Sequence, residues 1–181
     1  LDKRQPLYHC GKVMTLSKIP APMLADFVAE QFKLSRIIIT KELIEKIINA
    51  AQGHIYYLQM LCHEMWNLSI ASRKIDQAHW SQALGQVLMS QRALYQVLWE
   101  GCSQGQKNLL LAFSREKSSR LQTSPLIHKY DLGSPASVSK NLKSLVKKEV
   151  LENGGKEYVF ADPFFALWIH REILAMPSYV H

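Results

Sequence analysis

The stretch Ser124-Pro125-Leu126-Ile127-His128-Lys129-Tyr130-Asp131-Leu132-Gly133-Ser134-Pro135 decides the architecture. Proline is tolerated in the first turn of a helix, where its missing N–H has no intrahelical partner to lose. The two Ser-Pro pairs therefore mark two helix starts, with Asp131-Leu132-Gly133 as the tight turn between them. The spacing predicts a short helix from Ser124 to about Tyr130. A longer one follows from Ser134 to about Lys148, with Val138, Leu142, Leu145 and Val146 facing a core.

Downstream, Val150-Leu151-Glu152 reads as a strand, Asn153-Gly154-Gly155 as a hairpin turn, and Glu157 to Ala161 as the returning strand. Asp162-Pro163 caps a last helix that contains Phe164, Phe165, Leu167, Trp168, Ile169 and Ile173. Upstream, Ser103 caps a helix over Gln104 to Glu116, with Leu109, Leu110 and Phe113 inward. Helix, short helix, turn, helix, hairpin is the order of a winged helix-turn-helix with a small two-stranded wing.

The first half has a different grammar. Leu1 to Pro22 reads as a connector, with Val13 to Ile19 as a short extended segment. Met23 to Lys33 places Leu24, Phe27, Val28 and Phe32 on one helical stripe. Thr40 caps a second helix, carrying Leu43, Ile44, Ile47 and Ile48, that ends near Gly53. Ile55 to Ser72 forms the most apolar helix. Asp76 caps a fourth from Gln77 to about Trp99, with Trp80, Leu84, Val87, Leu88 and Leu94 as its stripe and Gly85 as a weak point. Gly101 to Gly105 interrupts the pattern, so the boundary falls there: residues 1–102 form a connector and four-helix domain, and 103–181 the winged-helix domain.

The bulk numbers suit a soluble globular protein: 48% hydrophobic, 20% charged, mean hydropathy −0.10. No apolar run approaches the ~20 residues that cross a bilayer, so no membrane partner is expected. No basic region followed by an apolar stretch marks a signal peptide. Cys10, Cys62 and Cys102 are widely spaced and odd in number, which fits reduced thiols in a cytoplasmic protein. The net charge of +7 favours an anionic partner such as nucleic acid, an acidic surface or a bound nucleotide. A chain that opens on Leu1 rather than Met is expected to continue a longer protein.

Catalytic signatures are missing from the sequence. It has no GxxxxGK[ST] phosphate loop, no HExxH and no GxSxG. The seven histidines lack metal-ligand spacing, and the adjacent Cys62 and His63 point about 100° apart on a helix. No catalytic residue, metal site or cofactor is expected in this segment. The four tryptophans, Trp66, Trp80, Trp99 and Trp168, suit core packing better than stacking against nucleobases.

Two regions are candidate sites. Gly53-His54-Ile55-Tyr56-Tyr57-Leu58-Gln59 is a glycine-led turn that opens an apolar helix, so its free N–H groups either favour an anion or simply end a turn between packed helices. The helix from Ser134 to Lys148 holds four lysines and no acid. Its Ser134, Ser137, Lys140, Asn141, Ser144, Lys147 and Lys148, with Lys143 beside them and Lys156 past the hairpin, suit phosphates and base edges. Lys140, Ser144, Lys147 and Lys148 recur at helical steps and are expected to share a face. The competing reading is a solvated face on a domain used for protein contacts.

Three stretches together resemble the C-terminal part of the archaeal-type ATPases, a branch of the AAA+/STAND P-loop NTPases. They are Arg4-Gln5-Pro6-Leu7-Tyr8 with Gly11 and Met14-Thr15-Leu16; Gly53 to Gln59; and Tyr158-Val159-Phe160-Ala161-Asp162-Pro163-Phe164-Phe165-Ala166-Leu167-Trp168. This chain has Ile55 where the family often has proline, and no arginine in that turn. The resemblance implies a helical lid, with Gly53 and His54 near nucleotide, that closes on ATP and magnesium held by an N-terminal P-loop core of the same protein. It also implies a winged helix that binds duplex DNA or a partner protein. The alternatives are a stand-alone winged-helix transcription regulator and a pure protein-interaction module.

Overall fold

The computed structural model describes residues 19–116, 124–154 and 157–174. The extended segment expected before Ile19 lies almost wholly outside them, as do Cys10, Gly155 and Lys156. The chain is mainly helical, a helical domain followed by a winged helix with one small antiparallel sheet.

The helical half comprises α1 (Ala21–Leu34), α2 (Lys41–Ala51), α3 (Ile55–Ser69), α4 (Gln77–Ser90) and α5 (Arg92–Glu100). Local chemistry sets most of these ends. Pro20-Ala21-Pro22 opens α1, with proline in its first turn. Thr40 Oγ1 accepts from Leu43 N at 3.4 Å to cap α2. Asp76 and His79 form a reciprocal capping box at the start of α4. A parallel bridge ties Ile38 to Lys74, through Ile38 N to Arg73 O (2.9 Å) and Ile75 N to Ile38 O (2.8 Å), and so fixes the loops after α1 and α3 against each other.

The single helix expected from Gln77 to Trp99 is two helices, broken at Gln91 rather than bent at Gly85. The break shifts the register. Tyr95 becomes fully buried, and Leu94, expected inward, is 52% exposed. Gly85 instead accepts the Arg171 guanidinium, whose Nη1 lies 2.8 Å from where a Cβ would stand. In α1, Leu24, Val28 and Phe32 are buried as expected, but Phe27 is exposed.

The winged-helix half comprises α6 (Gln104–Glu116), α7 (Ser124–Lys129), α8 (Pro135–Lys147), β1 (Leu151–Asn153), β2 (Tyr158–Phe160) and α9 (Pro163–Trp168), which runs on into a π-helical turn, Ile169–Ile173. The turn between α7 and α8 buries Leu132 and uses left-handed backbone at Asp131 (φ 49°) and Gly133 (φ 79°). Strands β1 and β2 pair Leu151 with Phe160, Glu152 with Val159 and Asn153 with Tyr158.

The buried apolar residues form one continuous cluster through both halves. Half-buried Asp162 links its two halves. Its Oδ1 caps α9 by accepting from Phe164 N (2.8 Å) and Phe165 N (3.3 Å). Its Oδ2 accepts the Tyr57 hydroxyl from α3 and the Tyr95 hydroxyl from α5, the latter at 2.9 Å. The two phenol oxygens are 3.1 Å apart. The Tyr57 ring stacks on Phe164 at 4.2 Å, and Tyr95 packs on Phe165 and Trp168.

Burial, followed by hydrogen bonding to Asp162, pushes the Tyr57 phenol above its ordinary range. Burial and the Tyr57 hydroxyl push Tyr95 up further. A raised folded-state phenol pKa contributes stability below the unfolded value of about 10, and that contribution is lost as pH rises beyond it. Urea midpoints should therefore fall more steeply above about pH 10 in the wild type than in a Tyr57→Phe/Tyr95→Phe variant.

Asp162→Ala removes a cap and the acceptor of two buried hydroxyls, so it should destabilise the chain by about 2–4 kcal/mol in urea titrations. Because the core is continuous, far-UV circular dichroism and tryptophan fluorescence should report one coincident transition. Separate transitions by the two probes would contradict this.

Candidate nucleic-acid interface

The faces of α8 are set by what it packs against, namely α6 and β1. Val138, Leu142 and Leu145 are buried. Ser134 caps the helix, its Oγ accepting from Ser137 N at 3.1 Å and lying 3.0 Å from Ser137 Oγ. Both serines are exposed.

One flank of α8 is turned to α6. Gly105 makes the close approach possible: a Cβ there would stand 2.9 Å from Asn141 Nδ2, and Asn141 is half-buried. Gln106, 5% exposed, organises the contact. Its Oε1 accepts from Ser103 N and from Lys148 Nζ, each at 3.0 Å, and its Nε2 donates to Ser144 Oγ at 2.9 Å. Lys148 Nζ also donates to Gly101 O at 2.7 Å. Ser144, half-buried, is thus turned toward α6, while Lys148 stays exposed with its ammonium bonded to Gln106 and to the Gly101 carbonyl.

Lys140, Lys143 and Lys147 are all exposed and stand at the i, i+3, i+7 spacing of one helix face. None forms an ion pair among the described residues, whereas Lys129 is held 2.7 Å from Glu116. Like charges left together on an exposed face favour an anionic partner. The wing differs: its described charged residues, Glu152 and Glu157, are acids and exposed. Lys156 lies outside the described residues.

At the turn before α3, Gln52 (φ 47°) and Gly53 (φ 80°) are left-handed, and His54 N donates to Ala51 O at 2.8 Å. The His54 side chain makes no capping bond. Gly53 lines a hollow of about 260 Å³ with Ile19, Ala21, Leu24, Ile48, Asn49 and Gln52, and His54 is not among its walls. Tyr57, one turn further on, joins this stretch to Asp162 and hence to the segment after the wing.

Elsewhere, Cys62 is half-buried, and desolvation pushes its thiol up to about 12, which leaves it protonated and a poor nucleophile. Among the described residues, no three His, Cys, Asp or Glu side chains are grouped to hold a metal. No helix among them is long and apolar enough to cross a membrane. Trp168 is core, and Trp66 lies 38% exposed beside a groove between α1 and α3.

A family model described as a probable winged helix domain matches residues 93–171, so the similarity takes in α5 as well as the elements from α6 onward. No curated protein and no solved structure matches the chain.

Sequence reasoning put Lys140 and Lys147 on one face with Ser144 and Lys148, left Lys143 beside them, and missed Gln106. Its signal was a glutamine three residues after a capping serine, the capping-box spacing. Gln106→Ala should cost about 1–3 kcal/mol in chemical denaturation, because it strips partners from buried polar groups. Lys148→Ala should lower the thermal midpoint, and Lys140→Ala should leave it unchanged.

Proposed function

We propose that this chain is a binding region rather than an enzyme, and that its winged-helix half presents α8 to duplex DNA. The observation that carries the reading is the row of Lys140, Lys143 and Lys147 on the outward face of α8, without an acid partner among the described residues. Winged helices bind DNA or proteins, and this charge pattern favours the polyanion.

The helical half fits a regulatory role beside a P-loop core that holds ATP and magnesium. That part of the proposal is supported by the ATPase-like stretches Gly53–Gln59 and Tyr158–Trp168, which the Tyr57–Asp162 hydrogen bond joins. A second reading, docking of a partner protein, is favoured by the groove of about 190 Å³ between α1 and α3, lined by Phe27, Phe32, Leu58 and Trp66 among others.

Duplex binding at low salt should fall steeply as salt rises, since each phosphate neutralised releases counterions. Replacing all three lysines with alanine should weaken binding at least tenfold and reduce the log–log salt slope by about 2.5–3, close to 0.9 per lost contact. Equal binding by the triple variant would move the interface elsewhere and favour the protein-docking reading. Titration calorimetry of the chain with ATP and magnesium should show no binding in the micromolar range; tight binding would overturn the non-enzyme reading.

A further inference from the structure

We infer that the α8 interface takes duplex DNA without regard to sequence, through a row of phosphate contacts along one strand. This rests on the DNA-binding reading above and specifies its ligand.

Asn141 and Ser144, two base-reading side chains of α8, are turned toward α6 rather than outward. Asn141, the side chain able to pair bidentately with adenine, is half-buried against Gly105. Ser144 is bonded to Gln106, and Lys148 is held by Gln106 and the carbonyl of Gly101. At the helix start, Ser134 and Ser137 bond to each other, and a serine hydroxyl, both donor and acceptor, discriminates little between bases. Lys140, Lys143 and Lys147 can still donate to a guanine edge and Ala136 can touch a thymine methyl, but among the described residues of α8 no outward side chain carries the rigid fork that fixes a bidentate base contact.

The spacing of the three lysines suits a backbone instead. From Lys140 to Lys147 the helix rises about 10 Å. Long, flexible lysine stems let such a row reach successive phosphates of one strand where the helix lies against the backbone. Among the described residues the wing adds no cation to this row, its charges there being Glu152 and Glu157. Point-charge ammonium groups on flexible stems follow a backbone without setting a register on it.

The test is equilibrium binding of the full chain to two 20-base-pair duplexes of unrelated sequence at low salt, with selection from a random duplex pool. The expected result is affinities within threefold of each other, no enriched motif, and an unchanged affinity ratio in Asn141→Ala. A ratio above tenfold or an enriched motif overturns sequence independence while leaving the DNA reading in place. No binding to either duplex overturns both.

Discussion

Asp162 receives four hydrogen bonds, two from the backbone of α9 and two from phenols on α3 and α5. That one carboxylate constrains both halves at once. Tyr95 is fully buried, so its hydroxyl requires an acceptor inside the protein, and Asp162 and Tyr57 are the oxygens within reach. The same carboxylate fixes where α9 begins. Phe164 then stacks on Tyr57, and Phe165 and Trp168 pack at a tilt against Tyr95, in one aromatic cluster. Helix α9 touches α2, α4, α5 and α6, so the position of this short helix decides how the winged half meets the helical half.

Much of this was legible in the sequence, and the failures are instructive. Capping residues and Ser-Pro pairs placed most helix starts, because caps act through bonds only two or three residues long. The role of Asp162 as a cap was readable for the same reason. Its bonds to Tyr57 and Tyr95 span 105 and 67 residues, and no local pattern encodes them. The break at Gln91 carries neither glycine nor proline, so periodicity ran through it and assigned Leu94 to the core in place of Tyr95.

The candidate site divides along the same line. Spacing alone shows that Lys140, Lys143 and Lys147 share a face, since that follows from the helical period. It does not show which neighbouring flank meets another helix. Gly105 and Gln106 decide that: one by leaving room for Asn141, the other by engaging both Ser144 and Lys148. Polar side chains of the α8 segment that look equivalent in the sequence therefore separate into Lys140, Lys143 and Lys147, without an ion pair among the described residues, and Asn141, Ser144 and Lys148, which meet α6 or its flank.

Both ends of the α8 segment are set by backbone that its residues resist. Asp131 before it and Glu149 after it have positive φ, at 49° and 57°, as do Arg36, Gln52 and Arg73 in the helical half. A left-handed conformation costs a non-glycine residue about 1 kcal/mol or more. Local preference therefore opposes these turns, and tertiary packing must hold them. At Asp131 the compensation is visible: Leu132 N reaches Ile127 O at 3.0 Å and its side chain is buried, while Asn108 of α6 donates to Asp131 O at 3.1 Å. At Glu149, Val150 N closes on Leu145 O at 3.0 Å, and Val150 joins the core. The orientation of the lysine face is thus a tertiary property: buried residues on either side of α8, with the Gln106 contact along its flank, hold the helix so that Lys140, Lys143 and Lys147 stand exposed.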